Sequence, residues 1–162
     1  MSVTSVEKDL DTLTLTLIAD FDAPVERVWQ LWADPRQLER WWGPPEYPAT
    51  FEQHDLRSGG TVTYYMTGPD GQRFHGYWAV TSVTAPTSLT FTDGFADENG
   101  QPNDDLPTSE SHVELTERDG GTRMTLTSRF ADRQQMDQLI EMGMDEGLRG
   151  AVGQMDDLLV AV

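Results

Sequence analysis

The chain has 162 residues, 28 of them acidic and 11 basic, for a formal charge of -17, with 37% hydrophobic residues and no cysteine. That length suffices for one hydrophobic core, and the composition is that of a globular protein, which excludes a disordered or collagen-like chain. The acidity repels phosphate backbones and anionic lipid, so neither nucleic acid nor membrane is expected as a partner. The missing thiols exclude disulfides, a cysteine nucleophile and thiolate-bound metal.

Met1 to Asp9 has no basic stretch followed by an apolar run, and nowhere does an apolar segment of about 18 residues occur. A soluble, cytoplasmic protein is expected. Thr12 to Leu17 alternates threonine with leucine, the period of a half-buried strand with Leu13, Leu15 and Leu17 on one face. Asp22 to Trp32 then brings Val25, Val28, Trp29 and Trp32 onto one helical stripe, with Pro24 suited to a first turn. A second short helix follows at once. Asp34 is its N-cap, Pro35 its first residue and Gln37 stands at the capping-box position, while Gly43-Pro44-Pro45 stops it.

From Tyr47 to Phe130 strands alternate with turns: Ala49–Asp55, Thr61–Thr67, Arg73–Thr84, Ser88–Asp93, Ser111–Glu117 and Thr122–Phe130. Gly68-Pro69-Asp70-Gly71 and Arg118-Asp119-Gly120-Gly121 are hairpin turns by composition. Gly94 to Ser109 is acidic and aperiodic, long for a loop inside a compact fold and a candidate lid. The C-terminus is helical from a cap at Asp132. Met144, Leu148, Ala151, Val152, Met155, Leu158, Leu159 and Val162 share a stripe, and an interruption is expected near Gly143. The order of elements defines an α+β fold over residues 1–162, with an antiparallel sheet of about six to seven strands wrapped around a long C-terminal helix and two short helices after the first strand.

Chemical motifs are sparse. His54, His75 and His112 lie far apart without metal spacing, and are read as surface or sheet-edge residues. No metal site, cofactor fingerprint, phosphate loop or nucleophile elbow is present in the sequence, so no cofactor is expected. Carboxylate pairs such as Asp104-Asp105 and Asp156-Asp157 belong to solvated faces. The informative feature is bulk: five tryptophans, four tyrosines, six phenylalanines and seven methionines, many at inward-facing positions. Such side chains either fill a core or line an adaptable apolar cavity, and close packing favours the core.

Asp22-Ala23-Pro24-Val25-Glu26-Arg27-Val28-Trp29, Asp34-Pro35 and Leu38-Glu39-Arg40-Trp41-Trp42-Gly43-Pro44 resemble the N-terminal signature of the START-like (SRPBCC, birch-pollen-allergen-like) superfamily. Asp55 to Gly60, Gly76-Tyr77-Trp78, Leu89-Thr90-Phe91, Gly120-Gly121-Thr122 and Met142 to Leu148 extend the likeness, in order, through nearly the whole chain. Within the superfamily the match is to the branch named after the activator of the ninety-kilodalton heat-shock protein's ATPase. The resemblance implies a helix-grip fold with an apolar cavity between sheet and C-terminal helix, which reverses the preference for a filled core. The cavity lining is then expected from Tyr64, Met66, Trp78, Phe91, Met136, Ile140, Met144 and Leu148, with Phe95 from the long loop, which could cover the mouth.

Three functions are compatible with these residues. The first is a non-enzymatic module that binds a small hydrophobic molecule, with Tyr64, Trp78 or a histidine orienting it. The second is a cyclase- or aromatase-like enzyme, which requires a titratable group inside the cavity. The third is a co-chaperone-like interaction protein, which requires an exposed apolar patch that the sequence does not provide. Either a monomer or a homodimer fits.

Overall fold

The computed structural model describes residues 3–160, with Val160 described by its backbone alone; Val162 of the expected helical stripe lies outside the described residues. Eight strands form a single antiparallel sheet: β1 (Val3–Asp9), β2 (Thr14–Phe21), β3 (Ala49–His54), β4 (Thr61–Thr67), β5 (Arg73–Thr84), β6 (Ser88–Phe95), β7 (Ser109–Arg118) and β8 (Gly121–Phe130). Their spatial order is β1-β2-β8-β7-β6-β5-β4-β3, so the N-terminal pair joins the sheet through β8. The sheet exceeds the expected six to seven strands by β1. Val3-Thr4-Ser5-Val6-Glu7-Lys8-Asp9 is an edge strand with little apolar alternation, and its pairing with β2 rather than its own pattern makes it a strand.

The Thr12–Leu17 alternation does form a strand, but it starts two residues later and runs on to Phe21. Leu13 has a positive φ of 56° and belongs to the preceding turn, where Asp9 Oδ1 accepts from the Asp11 and Thr12 amides. Leu15, Leu17 and Ala19 are buried on the inner face opposite Ser128, Leu126 and Met124. Hairpin β7–β8 turns through Asp119 and Gly120, both at positive φ, the arrangement that suits strand twist.

Helices α1 (Val25–Ala33) and α2 (Pro35–Leu38) follow β2, and α1 buries Val28, Trp29, Leu31 and Trp32. Asp34 caps α2 by accepting from the Arg36 amide, but Gln37 forms no capping box: its Nε2 donates to the Asp34 carboxylate, and the Asp34 amide bonds the Gln30 oxygen instead. The last carbonyls of α1 lack helical partners and are met by side chains from elsewhere. Trp41 Nε1 donates to the Leu31 oxygen at 2.8 Å, and His54 Nε2 lies 3.1 Å from the Trp32 oxygen.

The long C-terminal helix is instead three segments, α3 (Arg133–Glu141), α4 (Met144–Gly153) and α5 (Met155–Val160). Asp132 caps α3 by accepting from the Gln135 amide. The break between α3 and α4 falls at Gly143, whose φ of 90° no helix can continue. Ala151, Val152, Met155 and Leu158 bury the expected stripe. The segments are tied to α1 by Arg27, which donates to the Leu158 oxygen, and to the turn after α2 by Gln154 Nε2, which donates to the Trp41 and Gly43 oxygens.

Candidate functional site

The apolar interior has two parts. The larger holds Trp32, Trp41, Trp42, Phe51, Tyr64, Trp78 and Phe91, with Trp78 stacked on Phe91 at 4.2 Å and Trp32 edge-on to Trp41 at 4.8 Å. The smaller centres on Leu15, Phe130, Met136 and Leu139, with Phe95, Ile140, Met144 and Leu148 packed against it. The nine residues expected to line a cavity therefore divide. Trp78 and Phe91 are fully buried within the aromatic cluster, Tyr64 is nearly so, and Met66 packs half-buried against it. Phe95, Met136, Ile140, Met144 and Leu148 gather around the second cluster.

A pocket of about 210 Å³ opens beside that second cluster. Asp93, Gly94 and Phe95 of β6, Ser109 of β7, Pro107, and Leu139, Met142, Gly143 and Met144 at the α3–α4 junction line it. Two local causes produce it. The chain turns at Gly143, so the two helices do not fill the space as one straight helix would. The sheet row facing them also contains a small residue: register places Trp78, Asp93, Ser109 and Phe130 side by side on consecutive strands. Ser109 leaves a hollow between larger neighbours.

Of the expected residues, Phe95 and Met144 line this pocket directly. The sequence reading missed Asp93, although the alternation that turns Leu89 and Phe91 inward puts Asp93 two residues further along the same face. Leu139 lies on α3 and clusters with Met136, which was expected to line the cavity. Met142 and Gly143 owe their place to the helix break at Gly143, and Ser109 owes its place to cross-strand register, which no local pattern reveals.

Asp93 is the ionisable group of the pocket wall. The Tyr64 hydroxyl donates to its Oδ1 at 3.1 Å, and no described residue hydrogen-bonds its other oxygen. Burial pushes the Asp93 carboxyl up to about 7, against the lowering effect of the Tyr64 hydrogen bond. Burial, and next the charge of Asp93, hold the Tyr64 phenol well above its ordinary value. The indole N–H groups of Trp42 and Trp78 bear on the Tyr64 oxygen and favour its phenolate, but outside hydrogen-bonding geometry, so both are buried without a partner among the described residues.

The histidines lie elsewhere. His54 meets the end of α1, His112 pairs with Thr90 and Glu114, and His75 lies against Tyr65. Of the expected long loop, Gly94 and Phe95 belong to β6 and Ser109 to β7. Glu98 to Pro102 lie along a groove with Thr63, Tyr77 and Ala79 on the outer face of the sheet, and Pro107 is the loop residue that reaches the pocket. Among the described residues no group of three or more His, Asp or Glu is placed to hold a metal, and no helix is long and apolar enough to cross a membrane.

A single eight-stranded antiparallel sheet, two short helices after β2 and a C-terminal helical region define an α+β protein. Residues 22–160 match the family model described as Activator of Hsp90 ATPase homolog 1-like protein, and the chain belongs to that SRPBCC-type family. It is similar to protein Ms6760 from Mycobacterium smegmatis, at 55% identity over 99% of this chain and 98% of that one, with a TM-score of 0.91. A protein from Arthrobacter aurescens is 51% identical over 98% of this chain and 92% of that one, with a TM-score of 0.93. The AHSA1 protein from Silicibacter pomeroyi is 26% identical over 90% and 96% of the two chains, with a TM-score of 0.72. No curated protein matches the chain.

Proposed function

We propose that this chain binds a small hydrophobic molecule in the pocket between β6, the start of β7 and the α3–α4 junction. The observation that carries the reading is the lining: Phe95, Pro107, Leu139, Met142 and Met144 surround a space with one half-buried carboxyl in its wall. Binding sites commonly combine mostly apolar walls with a few polar groups that orient the ligand. At about 210 Å³ the space is below the roughly 300–1,000 Å³ of pockets for drug-sized ligands, which points to a compact occupant. The resemblance to START-like proteins, in which such cavities are usual, supports the same reading.

Methionine methyl NMR tests it. Titration with a small aromatic compound should shift the Met142 and Met144 methyl signals and leave Met124, in the core of the sheet, unmoved. Ser109→Leu should fill the hollow and abolish the shifts. Uniform shifts, or none, would remove the reading.

Asp93 also supplies what the enzymatic alternative requires, a titratable group in the pocket, and favours general acid–base chemistry as a second reading. A compound that binds and is returned chemically unaltered by wild type and by Asp93→Asn alike removes it.

A further inference from the structure

We infer that the pocket selects among hydrophobic molecules by their polar head: it takes one that donates a hydrogen bond, an amine or a hydroxyl, and rejects a carboxylate. The inference rests on the proposed pocket and specifies what it holds. Asp93 lines the pocket, and its Oδ1 is already engaged by the Tyr64 hydroxyl at 3.1 Å. Its second oxygen has no partner among the described residues, so the pocket wall offers an anionic acceptor, with Ser109 as its other polar side chain, beside an apolar chamber.

The direction of the Tyr64 hydrogen bond is fixed by its surroundings. An ionised carboxylate can only accept, so the Tyr64 hydroxyl is the donor to Asp93 Oδ1. With no cationic side chain in the pocket lining, an incoming carboxylate would meet the Asp93 carboxyl without a counter-charge and would lose its hydration. An incoming ammonium finds a partner that is short of one. The charge of -17 acts in the same sense at longer range, raising the local concentration of cations and lowering that of anions.

The test compares four compounds on one ring: toluene, benzyl alcohol, benzylamine and benzoate, each titrated at pH 8 with the Met142 and Met144 methyl signals as readout. Benzylamine and benzyl alcohol should bind more tightly than toluene, with benzylamine ahead by about tenfold, the effect of one hydrogen bond to a charged group, and benzoate weakest. Asp93→Asn should cancel the advantage of benzylamine and leave toluene unchanged. If all four bind equally in the wild type, or benzoate binds best, the head-group inference is overturned while the pocket stands. If none binds, toluene included, both fall.

Discussion

The Tyr64 hydroxyl reaches Asp93, two strands away, by lying across β5 at Gly76, the one position of that strand without a side chain. Tyr64 and Gly76 are directly paired, Trp78 is paired with Asp93, and the phenol ring spans the gap between the two pairs. Sheet, aromatic cluster and pocket wall are thus joined through one hydrogen bond.

That arrangement makes Gly76 sensitive to the smallest substitution. A Cβ there would stand 2.5 Å from both Cζ and the hydroxyl oxygen of Tyr64, so the ring would have to move off the position from which it reaches Asp93. Gly76→Ala should destabilise the fold by roughly 1–3 kcal/mol, the usual range for overpacking. The denaturant midpoint measures this, and a midpoint equal to wild type would show that the ring is free to move.

A second prediction concerns pH. The folded-state value of Asp93 is raised from 3.8 to about 7 by burial. Below the unfolded value the carboxyl is protonated in both states. As pH rises toward 7 the unfolded chain releases the proton first, so this group lowers stability progressively, and above the folded value the loss is complete. At ~1.4 kcal/mol per pH unit the loss is at most roughly 4 kcal/mol, and less because Asp93 is only half-buried. Asp93→Asn should therefore melt at a higher temperature than wild type at pH 8, with the difference shrinking toward pH 4. A difference independent of pH would show that the carboxyl titrates normally.

The tryptophans should respond unequally to loss of their indole nitrogen. Trp41 satisfies the Leu31 carbonyl at the end of α1, whereas the Trp32 N–H has no partner among the described residues. Trp41→Phe removes a buried hydrogen bond and orphans a carbonyl, about 1–3 kcal/mol beyond the packing loss. Trp32→Phe loses packing alone. Urea unfolding of the two variants gives the comparison, and equal losses would mean that the Trp41 bond contributes nothing.

Two glycines of the C-terminal region should shift stability in opposite directions. Neither Gly143 nor Gly147 would bring a Cβ within 4 Å of another atom, so backbone conformation alone decides. Gly143 holds a φ of 90° and Gly147 is helical within α4. Gly143→Ala should cost about 1 kcal/mol and Gly147→Ala should stabilise by roughly 0.4–1 kcal/mol. Thermal melts of the pair provide the check, and the same sign for both would contradict the assigned break.

The sequence carried the fold further than the site because the two depend on different kinds of information. Asp34, Asp132, the β7–β8 turn and the break near Gly143 are local, each set by a few adjacent residues, and each is found in the structure. β1 was invisible because its edge position comes from its partner. Tyr64, Trp78 and Phe91 were legible as inward-facing but not as members of a packed aromatic cluster, since periodicity gives the face and not the neighbour. Asp93 and Ser109 become pocket residues only once β6 and β7 are in register, and the loop after Phe95 lies along the outer face for reasons no repeat encodes.

The pairing of β2 with β8 sets Leu17 beside Leu126, more than a hundred residues further along the chain. During synthesis at roughly 5–20 residues per second, β2 and the edge strand β1 that depends on it must wait several seconds for their docking partner to emerge. The β1–β2 hairpin is therefore made before the strand that covers its edge, and the β2 face carrying Leu15 and Leu17 stays open until β8 arrives.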